Sequence, residues 1–130
     1  MTLVDRHTSC ILAWRVDWER SEALLQAMVD EAPQAKFYYS DLFATYRRLV
    51  YTPGRYTPMP DKRETYRVEG DNAEFRHYLA RLARKSRCFS RCIHALRRAI
   101  KLFVFAWNRR QLHRQRYPTY PAHVLDFVCP

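Results

Sequence analysis

The chain has 130 residues, and 23 Lys and Arg against 13 Asp and Glu give it a formal net charge of +10. With 48% hydrophobic and 15% aromatic residues, the composition predicts one packed domain and excludes a disordered tail. Because no apolar run reaches the roughly 18 to 20 residues of a membrane span, and the first residues do not resemble a signal peptide, we expect neither a membrane nor a secreted protein.

The first third of the chain predicts a hairpin followed by a helix. Residues 3–4 and 11–16 are rich in strand-forming side chains and flank a polar segment, which predicts two antiparallel strands. Acids early in residues 17–31 and apolar residues at helical spacing predict a helix there. Pro33 ends it.

An aromatic run over residues 35–40 predicts a buried strand that ends on Asp41. Ligands and catalytic groups collect at the carboxyl ends of strands in open α/β sheets, which makes Asp41 a candidate site residue. Residues 42–50 predict a helix whose inward side chains are Leu42, Phe43, Tyr46, Leu49 and Val50. The Pro-containing residues 51–67 predict a loop with a short strand near Tyr56 or Tyr66.

The charge is concentrated in the second half. Residues 75–125 contain no Asp or Glu, whereas 13 Lys and Arg lie between positions 76 and 116. Arginine supplies 19 of the 23 cations, and its planar guanidinium suits phosphate. This distribution favours polyanion binding, nucleic acid first, over the alternative that basic residues merely solvate helix surfaces.

Two basic helices are predicted in this half, over residues 72–85 and 89–114. Apolar positions of the second recur at helical spacing for five turns, which is typical of a core-facing stripe. Its opposite face is predicted to carry cations, namely Arg91, Arg97, Arg98, Lys101, Arg109 and Arg110. The last nine residues are predicted to form an apolar tail.

The four cysteines are predicted to be reduced thiols. Cys88, Cys92 and His94 are close enough in sequence to suggest a zinc site. Their spacing lacks the paired knuckles of structural zinc sites, so thiols in or beside the core, as at Cys10 and Cys129, are favoured. A Cys–His hydrolase built on the same three residues lacks an orienting group and an oxyanion motif.

Two acids, Asp41 and Glu69, stand apart from the other carboxylates. Glu69 leads into the first basic helix. Carboxylates from two elements beside an Arg-rich surface suit metal-assisted phosphodiester chemistry, because Mg²⁺ takes oxygen ligands and bridges protein carboxylates to phosphate. From spacing alone the alternative, a turn residue and a helix-start acid, is favoured.

Longer motifs resemble a known family. Residues 66–91 resemble the C-terminal signature of insertion-sequence-one family transposases, in which a Glu precedes an Asn by three residues. In this chain Glu69 and Asn72 are followed by the string His77-Tyr78-Leu79-Ala80-Arg81-Leu82-Ala83-Arg84-Lys85-Ser86. Residues 38–46 resemble the family's segment around its second catalytic Asp, and residues 108–112 and the Tyr-Pro pairs near position 120 also fit.

The resemblance implies a ribonuclease-H-like, retroviral-integrase-like α/β domain with an Asp, Asp, Glu triad. Such enzymes use two divalent ions, Mg²⁺ or Mn²⁺, to nick transposon ends, and the freed 3′ hydroxyl attacks target DNA. By resemblance Asp41 is the second acid, Glu69 is the third, and both are metal ligands. The DNA contacts implied are Asn72, Arg76, Arg81, Arg84, Lys85, Arg87 and Arg91.

The chain also departs from the family pattern. The family's first Asp lies on an opening strand upstream of the segment that residues 2–8 resemble, and neither Asp5 nor Asp17 replaces it. Leu42 stands where relatives usually carry Gly. We therefore expect a truncated catalytic core over residues 1–70, missing its first strand, and a basic helical part over residues 71–130.

We expect a truncated copy of this kind to show little or no autonomous cleavage. Its expected protein partner is a second copy of the chain or a protein encoded upstream. We expect it in the cytoplasm with the nucleoid. Two alternatives belong to other classes. One is a non-enzymatic basic DNA- or RNA-binding module that competes for transposon ends. The other is a structural helical protein whose arginines meet an acidic partner.

Overall fold

The computed structural model describes residues 1–60, 66–79 and 91–129, which form a mixed α and β protein. The chain divides into two compact units. Unit one comprises Met1–Leu3 and Leu12–Gly70, and unit two comprises Val4–Ile11 and Asp71–Pro130. Among the described residues no helix has the length and apolarity needed to cross a bilayer.

The chain opens with a two-stranded sheet formed by β1 (Thr2–Val4) and β2 (Ile11–Trp14). The backbone N–H of Arg15 donates to the Met1 carbonyl at 3.0 Å, and the N–H of Asp5 donates to the Cys10 carbonyl at 2.8 Å. These bonds join opposite ends of the two strands, so the strands run antiparallel. The predicted hairpin is confirmed.

Helix α1 spans Glu22–Glu31, so it begins five residues later than predicted. Ser21 caps it, because the serine hydroxyl accepts the backbone N–H of Leu24 at 3.2 Å. The acids between positions 17 and 21 therefore lie in the lead-in rather than in the first turn. The helix packs into the core of unit one, whose buried members are Ala13, Leu25, Met28, Ala32 and Leu49.

A second sheet follows, in which β3 (Phe37–Ser40) and β4 (Arg55–Pro58) pair in parallel. Tyr38 lies opposite Tyr56 in the register. Both predicted strands are confirmed, but the expected burial of β3 is only partly met. Tyr38 is buried while Phe37 is 57% exposed, because alternate side chains of a strand point to opposite faces.

The connection between β3 and β4 contains a 3₁₀ helix over Ala44–Arg48 rather than the predicted α-helix. Leu49 is buried and Tyr46 packs against the core. Leu42, Phe43 and Val50 are exposed, so the expected inward orientation is wrong for these three. These three residues lie outside the 3₁₀ helix, so helical spacing does not set the direction of their side chains.

Helices α2 (Tyr66–Tyr78) and α3 (Ile93–Arg116) make up most of unit two, and a second 3₁₀ helix covers Val124–Phe127. The start of α2 lies six residues before the predicted one, because the helix continues through Gly70. A glycine inside a helix costs only about 1 kcal/mol relative to alanine, so Gly70 weakens the helix without ending it. The predicted continuation over residues 80–85 lies outside the described residues.

Aromatic rings form the core of unit two. Trp107 is 1% exposed, and its ring meets Phe75 edge-on at 5.1 Å and Phe103 at 5.7 Å between centroids. The indole N–H donates to the Ser9 carbonyl at 3.0 Å. These residues confirm that the apolar stripe of α3 faces a core. The C-terminal segment contributes Val124 to the buried set.

Candidate functional site

Asp41 directly follows β3, and its side chain is exposed. Its Oδ1 accepts the backbone N–H of Phe43 at 3.1 Å. The hydroxyl of Ser40 donates to the Asp41 carbonyl at 2.8 Å and lies 2.7 Å from the Tyr56 hydroxyl. The end of β3 is therefore held by β4, and the turn bearing Asp41 is fixed by its own carboxylate.

Three tyrosine rings pack against one another beside β3 and β4. Tyr51 stacks on Tyr56 at 4.7 Å with 7° between the rings, and it contacts Tyr38 at 4.9 Å. The Tyr51 hydroxyl donates to the Tyr46 carbonyl at 2.9 Å. Burial, followed by the neighbouring Tyr56 and Tyr46, raises the pKa of Tyr51. The phenol stays neutral near pH 7 and serves the structure rather than proton transfer.

A cation and an aromatic ring adjoin Asp41. The guanidinium of Arg20 lies over the Phe43 ring, 5.7 Å from its centroid, and Tyr46 meets the same ring edge-on at 5.4 Å. Burial raises the pKa of Tyr46, the charge of Asp41 raises it further, and Arg20 opposes both. We call the exposed pair Arg20 and Phe43 the Arg20–Phe43 step.

Sequence reasoning did not single out the Arg20–Phe43 step. Phe43 was expected to face inward, and Arg20 was one cation among many. A signal was present in the chain, since Phe43 follows Asp41 by two residues, the spacing of a turn that an aspartate side chain closes on a backbone N–H.

The other predicted acid, Glu69, lies in the first turn of α2 and is exposed. The positive end of the helix dipole favours a carboxylate there. Glu69 and Asp41 both belong to unit one. That the two share a metal ion remains a prediction.

The donor types fit Mg²⁺. That ion prefers oxygen ligands and is commonly held by one or two protein carboxylates together with substrate phosphates, which is the chemistry that Asp41 and Glu69 offer. Within the part of the chain that the structure describes, no group of three or more His, Cys, Asp or Glu residues could hold a metal.

The described cysteines are free thiols, with Cys10 buried and Cys92 and Cys129 exposed. Cys92 lies at the N-cap of α3. Hydrogen bonds from the backbone N–H groups of Ala95 and then His94 lower the pKa of its thiol, desolvation opposes them, and the charge of Arg98 adds a smaller lowering effect. Cys88, the other member of the zinc hypothesis, lies outside the described residues.

The predicted DNA contacts in the described region all belong to unit two. Arg76 on α2 and Arg91 before α3 are exposed, and Asn72 on α2 is half-buried. The remaining predicted contacts lie outside the described residues, namely Arg81, Arg84, Lys85 and Arg87. Helix α3 adds exposed cations, which are Arg98, Lys101, Arg114 and Arg116.

Arg110 does not belong to this exposed set, so its predicted place on the outer face is wrong, whereas Arg97 and Arg109 are half-buried. Arg110 is 9% exposed. Its Nε donates to the Ala122 carbonyl at 3.0 Å, and its guanidinium lies 3.6 Å from the Glu74 carboxylate. Arg109 donates to the Phe127 carbonyl at 3.0 Å. Both arginines attach the C-terminal segment to α3.

Asn108 likewise has a structural role. Its Oδ1 accepts the backbone N–H of Ile11 at 2.7 Å, and its Nδ2 donates to the Ile11 carbonyl at 2.9 Å. The amide therefore satisfies both backbone groups of one β2 residue. These bonds, with that of Trp107, fix α3 against the hairpin part of unit two.

Comparison with known proteins identifies the family. Residues 3–109 match the family model described as IS1 transposase. The match covers more than four-fifths of the chain and spans both Asp41 and Glu69. The chain therefore belongs to the IS1 transposase family, and the resemblance drawn from its sequence is confirmed. Comparisons with curated proteins and with solved structures found no match.

Proposed function

We propose that this chain works in DNA transposition as the DNA-binding and metal-binding part of an insertion-sequence transposase. The observation that carries the proposal is the family match over residues 3–109, which spans two exposed carboxylates of unit one, Asp41 and Glu69. A ribonuclease-H-like fold of unit one is part of the same proposal. It accounts for the acid at the carboxyl end of a parallel strand.

Asp41 and Glu69 are assigned to a divalent cation, Mg²⁺ or Mn²⁺. When bound, such an ion activates an attacking oxygen or stabilises a leaving one at a phosphodiester. The hydrogen bond from Phe43 holds one oxygen of the Asp41 carboxylate, so the other oxygen is the one assigned to the metal. Glu69, in the first turn of α2, is the second residue that would hold the ion.

The cations of unit two are assigned to DNA phosphates. Arg76, Arg91, Arg98 and Lys101 are exposed, and no Asp or Glu occurs between positions 75 and 125 to compete with phosphate. Phosphate contacts give affinity and salt dependence but read no sequence. Recognition of a particular terminal repeat therefore has to come from other contacts.

We expect little or no strand cleavage by this chain alone, because two carboxylates do not fix two metal ions. This expectation also supports the second candidate function, a non-enzymatic DNA-binding module that competes for transposon ends. The absence of any three-residue metal group among the described residues favours that candidate. The two functions share the basic surface and differ in strand cleavage.

Binding to duplex DNA at a series of salt concentrations tests the shared part of the proposal. Each phosphate contact adds about 0.9 to the slope of log affinity against log salt. We expect a steep slope, reduced by roughly two units in an Arg98→Gln, Lys101→Gln double variant. DNA binding that does not depend on salt would contradict the proposal, and salt-insensitive association with a protein would favour the alternative of an acidic partner.

Strand nicking of labelled transposon ends in Mg²⁺ or Mn²⁺ then separates the two candidates. A residual nicking activity that Glu69→Gln abolishes would show a working active site in this chain. Glu19→Gln, which removes an exposed acid in the lead-in to α1, is the matched control. DNA binding with no such nicking is the result we expect, and it favours the non-enzymatic binding module.

A further inference from the structure

The Arg20–Phe43 step has features of a ligand site that the metal assignment does not use. Phe43 is 38% exposed, and Arg20 is exposed as well. An exposed aromatic ring beneath a guanidinium offers a flat apolar face and a cation in one place. The same turn carries Asp41, because its carboxylate accepts the Phe43 N–H.

The spacing of the step suits a flat aromatic ligand. The guanidinium carbon of Arg20 lies 5.7 Å from the Phe43 centroid. A planar group stacked between two others needs about 7 Å, which is twice the optimal separation of roughly 3.5 Å between non-bonded atoms. The exposed Arg20 side chain therefore has to move away from the ring to admit one ring system between them.

We propose that the Arg20–Phe43 step binds one unpaired nucleotide of a DNA strand, with the base stacked between the ring and the guanidinium. This inference deepens the proposed function and rests on it, since it places that nucleotide next to the Asp41 turn. Stacking on aromatic side chains and on arginine is the usual way in which proteins hold unpaired bases. A paired base is excluded, because both of its faces are covered in the duplex.

The charges around the step favour this ligand over an apolar one. Arg20 carries five N–H donors that suit a phosphate oxygen, so the guanidinium can contact the base face and the nucleotide's phosphate. The ring binds any base, because every base has a π-face. The step therefore positions a strand without reading its sequence, and Phe43 and Arg20 are positioning residues.

A fluorescence experiment on the full chain tests the proposal without strand cleavage. The probes are two DNA duplexes that differ only in one 2-aminopurine nucleotide, paired in the first and unpaired in the second. In buffer with EDTA we expect tighter binding to the unpaired probe and a change in its fluorescence. Phe43→Ala should weaken that binding about 5- to 100-fold, the factor that one base–aromatic stack supplies.

Further variants separate stacking from folding. Phe43→Trp should retain the preference for the unpaired probe, whereas Phe43→Leu, which keeps an apolar side chain but no aromatic face, should lose it. Arg20→Gln should weaken binding of the unpaired probe and reduce its salt slope by about one unit. Phe37→Ala is the matched control, since it removes an exposed phenylalanine from the opposite end of β3, and it should change nothing.

Two failures are distinguishable. Absence of salt-dependent binding to either duplex would overturn the proposed function itself. Equal binding to both probes, or a preference that survives Phe43→Leu, would overturn the nucleotide subsite and leave DNA binding intact. Circular dichroism of Phe43→Leu checks that the loss of preference occurs in a folded chain.

Discussion

At the scale of single residues, the polar side chains of α3 divide between structural and surface roles. Asn108, Arg109 and Arg110 are adjacent, yet each donates to a backbone carbonyl of another segment. Arg98 and Lys101, on the same helix, are exposed. Residue type and helical spacing alone do not separate these groups, because the distinction depends on where residues 122–129 and the backbone of Ile11 lie along α3.

Arg110→Gln should lower the free energy of unfolding by about 1–3 kcal/mol, the cost of losing hydrogen bonds to a charged group in a buried place. The variant removes the bond to Ala122 and the ion pair with Glu74. Urea unfolding measures the change. Arg114→Gln, at an exposed position of the same helix, should stay within about 0.5 kcal/mol of the parent, and an equal loss in both variants would contradict a structural role for Arg110.

Gly54 has a steric role that Gly70 lacks. A Cβ at Gly54 would come within 2.4 Å of the Ala35 carbonyl oxygen and 2.5 Å of the Tyr38 ring, whereas a Cβ at Gly70 meets nothing within 4 Å. We expect Gly54→Ala to be strongly destabilising, because a backbone atom has to shift at the start of β4. Gly70→Ala should be neutral or stabilising by up to about 1 kcal/mol. Thermal unfolding of the two variants makes the comparison, and similar melting temperatures would count against the close approach.

At the scale of elements, the parallel pair β3 and β4 positions the candidate acid. Tyr51 stacks on Tyr56 of β4, and its hydroxyl donates to the backbone carbonyl of Tyr46 in the 3₁₀ helix. The sequence predicted both strands from their aromatic and flanking Pro residues. It did not predict the 3₁₀ helix between them, because the apolar residues of positions 42–50 fit a longer helix equally well. Packing against α1 decides that Leu49 is buried and Val50 is exposed.

The tyrosine stack predicts loss of stability at alkaline pH. Since burial raises the pKa of Tyr51 and Tyr46 in the folded chain, both phenols favour the folded state while neutral. Their contribution is fully present below pH 10, the pKa of an unfolded tyrosine, and is lost as the pH rises further. Urea unfolding between pH 9 and 11 should show this fall, and Tyr51→Phe should reduce its slope. Tyr120→Phe, at an exposed position, should leave the slope unchanged, and an unaltered slope in Tyr51→Phe would contradict the assignment.

At the scale of the whole molecule, the two candidate acids and the predicted DNA-binding cations belong to different units. Asp41 and Glu69 belong to unit one, whereas the exposed cations Arg76, Arg91 and Arg98 belong to unit two. That separation was visible in the sequence as an acid-free stretch of 51 residues. The assignment of residues 4–11 to the second unit was not, because it depends on side chains such as Asn108 and Trp107 that bond the hairpin's backbone over nearly a hundred positions.

The family assignment and the candidate acids could be read from short motifs, because each motif places a few residue types at fixed spacing. The neighbours of those acids could not. Phe43 and Leu42 are exposed beside Asp41, although their apolar character predicted burial. Helical periodicity cannot reveal this exposure, because the turn that Asp41 closes on the Phe43 N–H sets the orientation of these side chains.

The central claim is that Asp41 and Glu69 hold one divalent cation together. Electron paramagnetic resonance of Mn²⁺, titrated into the full chain with duplex DNA present, tests it most directly. Asp41→Asn and Glu69→Gln should each weaken Mn²⁺ binding about tenfold or more, and the double variant should bind little worse than either single variant, because one shared site is lost once. Mn²⁺ binding that is unchanged in either single variant, or that falls by the same factor in Glu19→Gln, would contradict the claim.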